Sequence, residues 1–317
     1  MNTSPAAPAG FFLVGPTASG KSRVAQWLGE RHGYVILAAD SMQVYCGMDI
    51  GTAKPTGAER ARVSHHGLDL ATPDRPFSVS EWLAAVREAF TAAGDRPVLV
   101  VGGTGLYLRC LAEGFHARPP PDLAVRAHWE AVLAQAGVDG LREALRVRWP
   151  DVLAGLADPN NPRRLIRALE AAESGLEGIR AWRDRPAHVP FVGLRLERDL
   201  LNSRIESRVL AMYDAGLVEE ARHLQEQVAA LSATASQAIG YAEALDVVAG
   251  RATRAQAMAR TVARTRQYAK RQRTWFQHQA NVCWVDVTPD IPVEVVASSV
   301  QTLWARQGPT LARGLLP

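Results

Sequence analysis

An α/β fold, a parallel sheet flanked by helices with an all-helical segment inserted into it, follows from three features of the sequence. Continuous apolar runs at Phe11–Val14, Tyr34–Ala39 and Pro97–Val101 alternate with stretches of helical periodicity, the pattern of strands that crossover helices bury on both faces. The first run opens directly into Gly15-Pro-Thr-Ala-Ser-Gly-Lys-Ser22. These residues match the phosphate-loop pattern G-x-x-x-x-G-K-[ST] in full, in the strand-to-helix setting that the pattern requires. Beyond Gly114 the strand signal stops, and it resumes only at Val189–Leu196 and Val282–Val287.

In chain order, Phe11–Val14 is the first strand and Lys21–Arg31 the first helix, with Val24, Trp27 and Leu28 on one face before Gly33. The second strand, Tyr34–Ala39, ends in Asp40, and the third, Pro97–Val101, ends in Gly102-Gly-Thr-Gly105. Parallel α/β sheets bind ligands at the carboxyl ends of their strands, so the glycine loop, Asp40 and Thr104 are expected together. Arg118-Pro-Pro-Pro121 reads as a stiff linker into a helical insertion over residues 120–187, leaving 10–119 and 188–317 as the core. Thr253 and Gln256 match a capping box that opens a last long helix running to Gln279. Pro5–Gly10 and the tail after Gly308 are expected to be loose.

At 317 residues, 47% hydrophobic and 21% charged, the chain suits one large or two ordinary globular domains. Cys46, Cys110 and Cys283 have neither disulfide nor zinc spacing, and no signal-peptide or membrane-span pattern occurs. A cytoplasmic protein with no membrane contact is expected. The net charge is only +4, but Arg251–Gln279 holds eight Lys and Arg and no acid, the footprint of a polyanion partner or a solvated helix face. Arg266, Lys270 and Arg273 recur on one helical face, and Tyr268, Trp275 and Phe276 lie among them, suited to base stacking or to core packing. Asn161-Pro-Arg-Arg-Leu-Ile-Arg167 starts a second cationic helix, readable as an RNA contact or as a salt-bridged surface helix.

In the phosphate loop, glycines let backbone N–H groups converge on phosphate oxygens, the helix start adds its dipole, Lys21 adds charge and Ser22 offers a hydroxyl to Mg²⁺. The pattern does not say what carries the phosphates. Asp40 suits a general base, a water-mediated Mg²⁺ ligand or a helix N-cap. The Gly102–Gly105 loop suits an anion site or a tight structural turn. A small-molecule or nucleoside kinase accounts for these features but leaves the basic stripe without a role.

Taken together, GPTASGKS (15–22), DSMQVY (40–45), GMDIGTAKP (47–55), His65-His66-Gly-Leu-Asp69, GGTGLYL (102–108), NPRRLIRALE (161–170), QAIGY (237–241) and TRQYAKRQRTW (265–275) closely resemble the bacterial tRNA dimethylallyltransferase family, in its motif order and over nearly the whole chain. The resemblance implies a P-loop NTPase-like core in which Gly15, Pro16, Thr17, Ala18, Ser19, Gly20, Lys21 and Ser22 hold the diphosphate of dimethylallyl diphosphate, without ATP consumption and with Mg²⁺ on Ser22. The implied acceptor is N6 of the adenine immediately 3′ of the anticodon, in tRNAs reading codons that begin with U. The resemblance further implies Asp40 as the base that takes the N6 proton, and Thr104 and Arg208 as diphosphate contacts. Asp40, Ser41, Met42, Gln43, Thr104, Arg163, Arg164, Arg167, Gln237, Gly240, Lys270, Arg271 and Arg273 then contact tRNA, and the helical insertion clamps the anticodon stem-loop. No obligate protein partner is expected. Ala242 and Gln277 stand where many relatives carry a cation, which removes up to two phosphate contacts. The zinc module of eukaryotic relatives is not expected.

Overall fold

The computed structural model describes residues 7–114, 122–156, 158–175 and 189–316. The chain divides into two compact units, Met1–Phe115 with Ala187–Pro317, and His116–Pro186. Pro5, the proline run 118–121 and the end of the expected insertion, 176–187, lie outside the described residues.

The first unit starts with β1 (Ala9–Val14), α1 (Lys21–His32), β2 (Val35–Ala39), α2 (Gly57–Arg62), β3 (His65–His66), α3 (Val79–Ala93), β4 (Val98–Gly102) and α4 (Gly105–Glu113). The second unit contributes α5 (Leu123–Arg148), α6 (Pro150–Ala154) and α7 (Pro162–Glu173). The first then resumes with β5 (Pro190–Arg195), α8 (Arg198–Asp214), α9 (Leu217–Gln227), α10 (Tyr241–Val248), α11 (Arg254–Gln279), β6 (Asn281–Asp286), α12 (Val293–Gln307) and β7 (Thr310–Leu311). Among the described residues the sheet order is β3-β2-β4-β1-β5-β6, with every neighbouring pair parallel. Helices cover both faces, as continuous apolar strands require: Phe11 packs on Trp304 of α12, while the next residue of the same face as Phe12, Gly10, lies under Phe90 of α3.

The register of the sheet sets the site. Val14 pairs with Gly102, and Ala39 pairs with Gly102 on its other side, so β1, β4 and β2 end level and release their loops at one height. α11 starts where its capping box predicts: Thr253 Oγ1 accepts the Gln256 N–H, and the Gln256 side chain accepts the Thr253 N–H.

The chain's ends differ from expectation. Ala9 and Gly10 belong to β1, and the tail folds back so that β7 pairs antiparallel with them, Gly10 with Thr310 and Ala9 with Leu311. Two-residue backbone pairing leaves no periodicity for a sequence to display.

In the second unit α5 breaks at Gly137 (φ 64°), and Trp129, Leu141, Leu145, Leu165, Ile166 and Leu169 form its core. Asn161 caps α7 by accepting the Arg163 and Arg164 N–H groups, with Pro162 in the first turn, where its missing N–H costs nothing.

The segment after β2 is held from α9. The Glu220 carboxylate accepts the N–H groups of Asp49, Ile50 and Gly51 at 2.9–3.3 Å and the Tyr241 hydroxyl at 2.5 Å. Buried Lys54 ties the same segment down through the Tyr45 carbonyl, Asp49 and Asp69. Replacing Glu220 by Ala leaves buried Tyr241 and three amides unpaired. Chemical denaturation is expected to show a loss of about 2–3 kcal/mol, against less than about 0.5 kcal/mol for exposed Glu226→Ala on the same helix.

Candidate functional site

The loop after β1 turns through conformations that side chains avoid, with φ of 141° at Gly15 and 94° at Gly20. It thereby delivers the chain to the start of α1, whose first N–H groups have no partner within the helix and carry its positive dipole end. Lys21 is buried, and its Nζ donates to the Pro16 carbonyl at 2.7 Å and to Ser19 Oγ at 3.3 Å. Burial first, then the Arg208 guanidinium, push its pKa down to about 7, and the Asp40 carboxylate opposes them. Ser22 is exposed in the first turn of α1.

At the end of β2, Asp40 Oδ1 accepts the Met42 N–H at 2.9 Å, so the carboxylate caps its own turn rather than a helix. The next amide, of Ser41, donates to Thr104 Oγ1 at 3.2 Å, joining the loops that follow β2 and β4. Glycines of the second loop serve close packing. A Cβ on Gly102 would lie 2.2 Å from the Ala39 oxygen, one on Gly103 2.2 Å from Gln272 Nε2, and one on Gly105 2.3 Å from the Trp275 ring. Gly102 thus fits the loop against β2, and Gly103 and Gly105 fit it against α11.

α11 supplies the wall opposite these loops. Arg264, Tyr268 and Gln272 recur at four-residue spacing on one helical face. Arg264 pairs with Glu243 at 2.5 Å and donates to the Gln237 carbonyl. The Tyr268 hydroxyl has its pKa raised by burial and then by the Asp40 carboxylate. Gln272 accepts the Thr17 N–H at 2.8 Å and donates to the Gly103 carbonyl at 3.0 Å. Between helix and loops is a cleft of about 350 Å³ whose lining includes Thr17, Asp40, Met42, Arg208, Gln237 and Arg271. Half-buried Arg208 has its pKa lowered by burial, with Asp40 opposing.

The remaining predicted residues are distributed as follows. Ser41 and Met42 line the cleft, whereas Gln43 spends its side-chain amide on the Thr52 and Ala53 carbonyls. Gly240 is buried with φ 102° and starts α10. Lys270 and Arg273 face a different groove, of about 530 Å³, between α11 and α8, together with Arg198, Arg266 and Gln277. Arg266 is paired with Glu206. Phe276 is core, edge-on to Trp275 and Trp284, whereas Trp275 is half-buried and Tyr268, also half-buried, lines the cleft. Arg163 and Arg164, in the second unit, are exposed, but Arg167 is bound to buried Glu170 at 2.8 Å, which Arg126 also holds. Sequence reasoning missed Gln272, Arg264 and Glu220. The four-residue spacing of Arg264, Tyr268 and Gln272 was the available signal.

The sequence matches the family model described as IPP transferase over residues 43–279 and that described as isopentenyl transferase over residues 9–69. It is 41% identical over 287 residues to a tRNA dimethylallyltransferase of Corynebacterium efficiens, covering 88% of this chain and 94% of the relative. Among solved structures it is similar to the full-length tRNA isopentenylpyrophosphate transferase of Bacillus halodurans, with a TM-score of 0.67 and 36% identity, over 94% of this chain and 95% of the other. A eukaryotic dimethylallyltransferase acting on tRNA shares the fold, with a TM-score of 0.72 at 22% identity over 94% of this chain and 76% of the other.

A bound diphosphate favours the ammonium form of Lys21, whose pKa of about 7 makes it mostly neutral at higher pH. Binding therefore takes up a proton above that pKa, and affinity falls as pH rises through it. Calorimetry with inorganic diphosphate at about pH 8, in two buffers of different ionisation enthalpy, is expected to show wild type taking up close to one proton more than Lys21→Arg, whose guanidinium stays charged. Equal uptake by the two proteins would contradict the assignment.

Proposed function

This chain belongs to the IPP transferase family, and we propose from that premise that it transfers the dimethylallyl group of dimethylallyl diphosphate to N6 of the adenine immediately 3′ of the anticodon, in tRNAs reading codons that begin with U. The observation that carries this function is one cleft lined by Thr17 of the phosphate loop, Arg208 and Asp40, a place for the leaving diphosphate beside a place for the acceptor proton. The kinase alternative has no support among these relatives.

In the reaction the C–O bond between the allylic carbon and the diphosphate breaks, its electron pair leaves on the diphosphate, and N6 forms the new C–N bond. The allylic carbon ionises readily because its charge is delocalised, so the protein's main task is to stabilise the leaving group. Loop amides, Lys21 and Arg208 supply that stabilisation, and partial burial strengthens each charge by lowering the local dielectric. Asp40 Oδ1 is held by the Met42 N–H, which orients the carboxylate and directs Oδ2 to the N6 proton. Such proton acceptance contributes about 10²–10⁴-fold. Thr104, which accepts the Ser41 N–H, keeps the Asp40 turn against the diphosphate site.

Among the described residues no group of three His, Cys, Asp or Glu forms a cation cage. An exposed Ser22 hydroxyl in the first helical turn fits the habit of Mg²⁺, which takes one or two protein ligands and completes its shell with substrate phosphates and water. When bound there, Mg²⁺ would neutralise charge on the departing diphosphate. We assign the acceptor side to Ser41, Met42, Gln237 and Arg271 around the cleft and to Arg163 and Arg164 of the helical unit, with residues 120–187 as the anticodon clamp. Flipping the adenine out of a single-stranded loop costs a few kcal/mol, less than from a duplex. A tRNA substrate implies the cytoplasm, and neither a membrane nor an obligate protein partner is required. Among the described residues no helix is long and apolar enough to cross a membrane.

Incubation of the protein with labelled dimethylallyl diphosphate and an anticodon stem-loop, without ATP, is expected to place label on N6. Asp40→Ala is expected to lower kcat by at least about 10²-fold. Phosphorylation of a small acceptor from ATP, with no prenyl transfer, would overturn the proposal.

A further inference from the structure

Gln272 is 6% exposed and has both ends of its amide in use: Oε1 accepts the Thr17 N–H at 2.8 Å and Nε2 donates to the Gly103 carbonyl at 3.0 Å. Thr17 belongs to the loop after β1 and Gly103 to the loop after β4, so one side chain spans the two loops that border the cleft. The approach is close: a Cβ at 103 would meet Nε2 at 2.2 Å, so a side chain there would displace the Gln272 amide. A buried amide with both ends satisfied holds its neighbours strongly, because losing it strands a donor and an acceptor away from water.

We propose that Gln272 is a positioning residue for the donor, fixing the leading limb of the phosphate loop so that the amides after Thr17 and Lys21 converge on a diphosphate. The inference rests on the prenyl-transfer function proposed above. Thr17 gives its own N–H to Gln272 and so acts as the loop's anchor, which leaves the amides at the start of α1 for the ligand. Gln272 itself touches no reacting atom. Its position on α11 matters because the opposite face of that helix carries Lys270 and Arg273 into the groove beside α8. The helix that presents cations to a polyanion thus also shapes the cradle for the small donor.

The test measures each ligand separately. Gln272→Met keeps the length and removes both hydrogen bonds, and Gly103→Ala displaces the same side chain while its Cβ also approaches the Gly15 carbonyl at 3.0 Å. Both variants, folded as judged by near-UV circular dichroism, are expected to bind inorganic diphosphate about tenfold more weakly and to raise KM for dimethylallyl diphosphate similarly. Affinity for the stem-loop is expected to stay within about twofold. Gln272→Met is the deciding variant, and unchanged diphosphate affinity in a folded Gly103→Ala would count equally against the proposal. Unchanged diphosphate affinity, or equal weakening of both ligands, would overturn the proposal, the latter by showing a merely structural role. Diphosphate binding is read without turnover. A wild type that binds diphosphate but transfers no prenyl group would therefore refute the function while leaving the role of Gln272 to be decided by the variants.

Discussion

Gly102 lies level with Val14 on one side and Ala39 on the other, and a Cβ at that position would fall 2.2 Å from the Ala39 carbonyl oxygen. The close approach of β4 to β2 therefore depends on a residue without a side chain. From these level ends the phosphate loop, the Asp40 turn and the Gly103–Gly105 loop leave side by side. Each loop is then fixed by a bond to another: Ser41 to Thr104, Thr17 to Gln272, Gln272 to Gly103. A strand shifted by one residue would turn its side chains to the other face and separate the phosphate loop from Asp40.

The charges at this edge are placed against their own solvation. Keeping Lys21 protonated there costs on the order of 5 kcal/mol relative to water, and Arg208 is also depressed by burial. Asp40 offsets part of this for both. A diphosphate offsets more, since it brings several negative charges into contact with the two cations and the helix dipole. Desolvated cations thus discriminate strongly in favour of a polyphosphate, and most strongly for one that gains charge as it departs.

Much of this was legible in the sequence. The phosphate loop declares itself by pattern, the strands by continuous apolar runs, and the start of α11 by the reciprocal Thr253 and Gln256 signal. Asp40 and Thr104 were placed by the rule that parallel sheets bind at strand ends, which needs only the strand assignments. The glycines at 103 and 105 were ambiguous because their reason is a helix some 170 residues later in the chain. Gln272 was hidden inside a basic stripe, where a neutral residue draws no attention. Glu220 was hidden because it serves backbone amides, which have no sequence signature. The aromatics of α11 show the same limit: periodicity puts them on a helix, but only the neighbouring Trp284 decides that Phe276 is core, and only the loops opposite make Tyr268 part of the cleft wall. Likewise Lys270 and Arg271, adjacent in sequence, face different grooves.

The central claim is that the diphosphate and the acceptor adenine meet across one cleft between the phosphate loop and Asp40. A crystal structure of the protein with inorganic diphosphate and an anticodon stem-loop tests it most directly. The account predicts diphosphate on the amides of residues 17–22 beside Lys21 and Arg208, with N6 of the flipped adenine about 3 Å from the Asp40 carboxylate. Diphosphate seated instead in the groove of Arg198, Lys270 and Arg273, or an adenine directed away from Asp40, would contradict it.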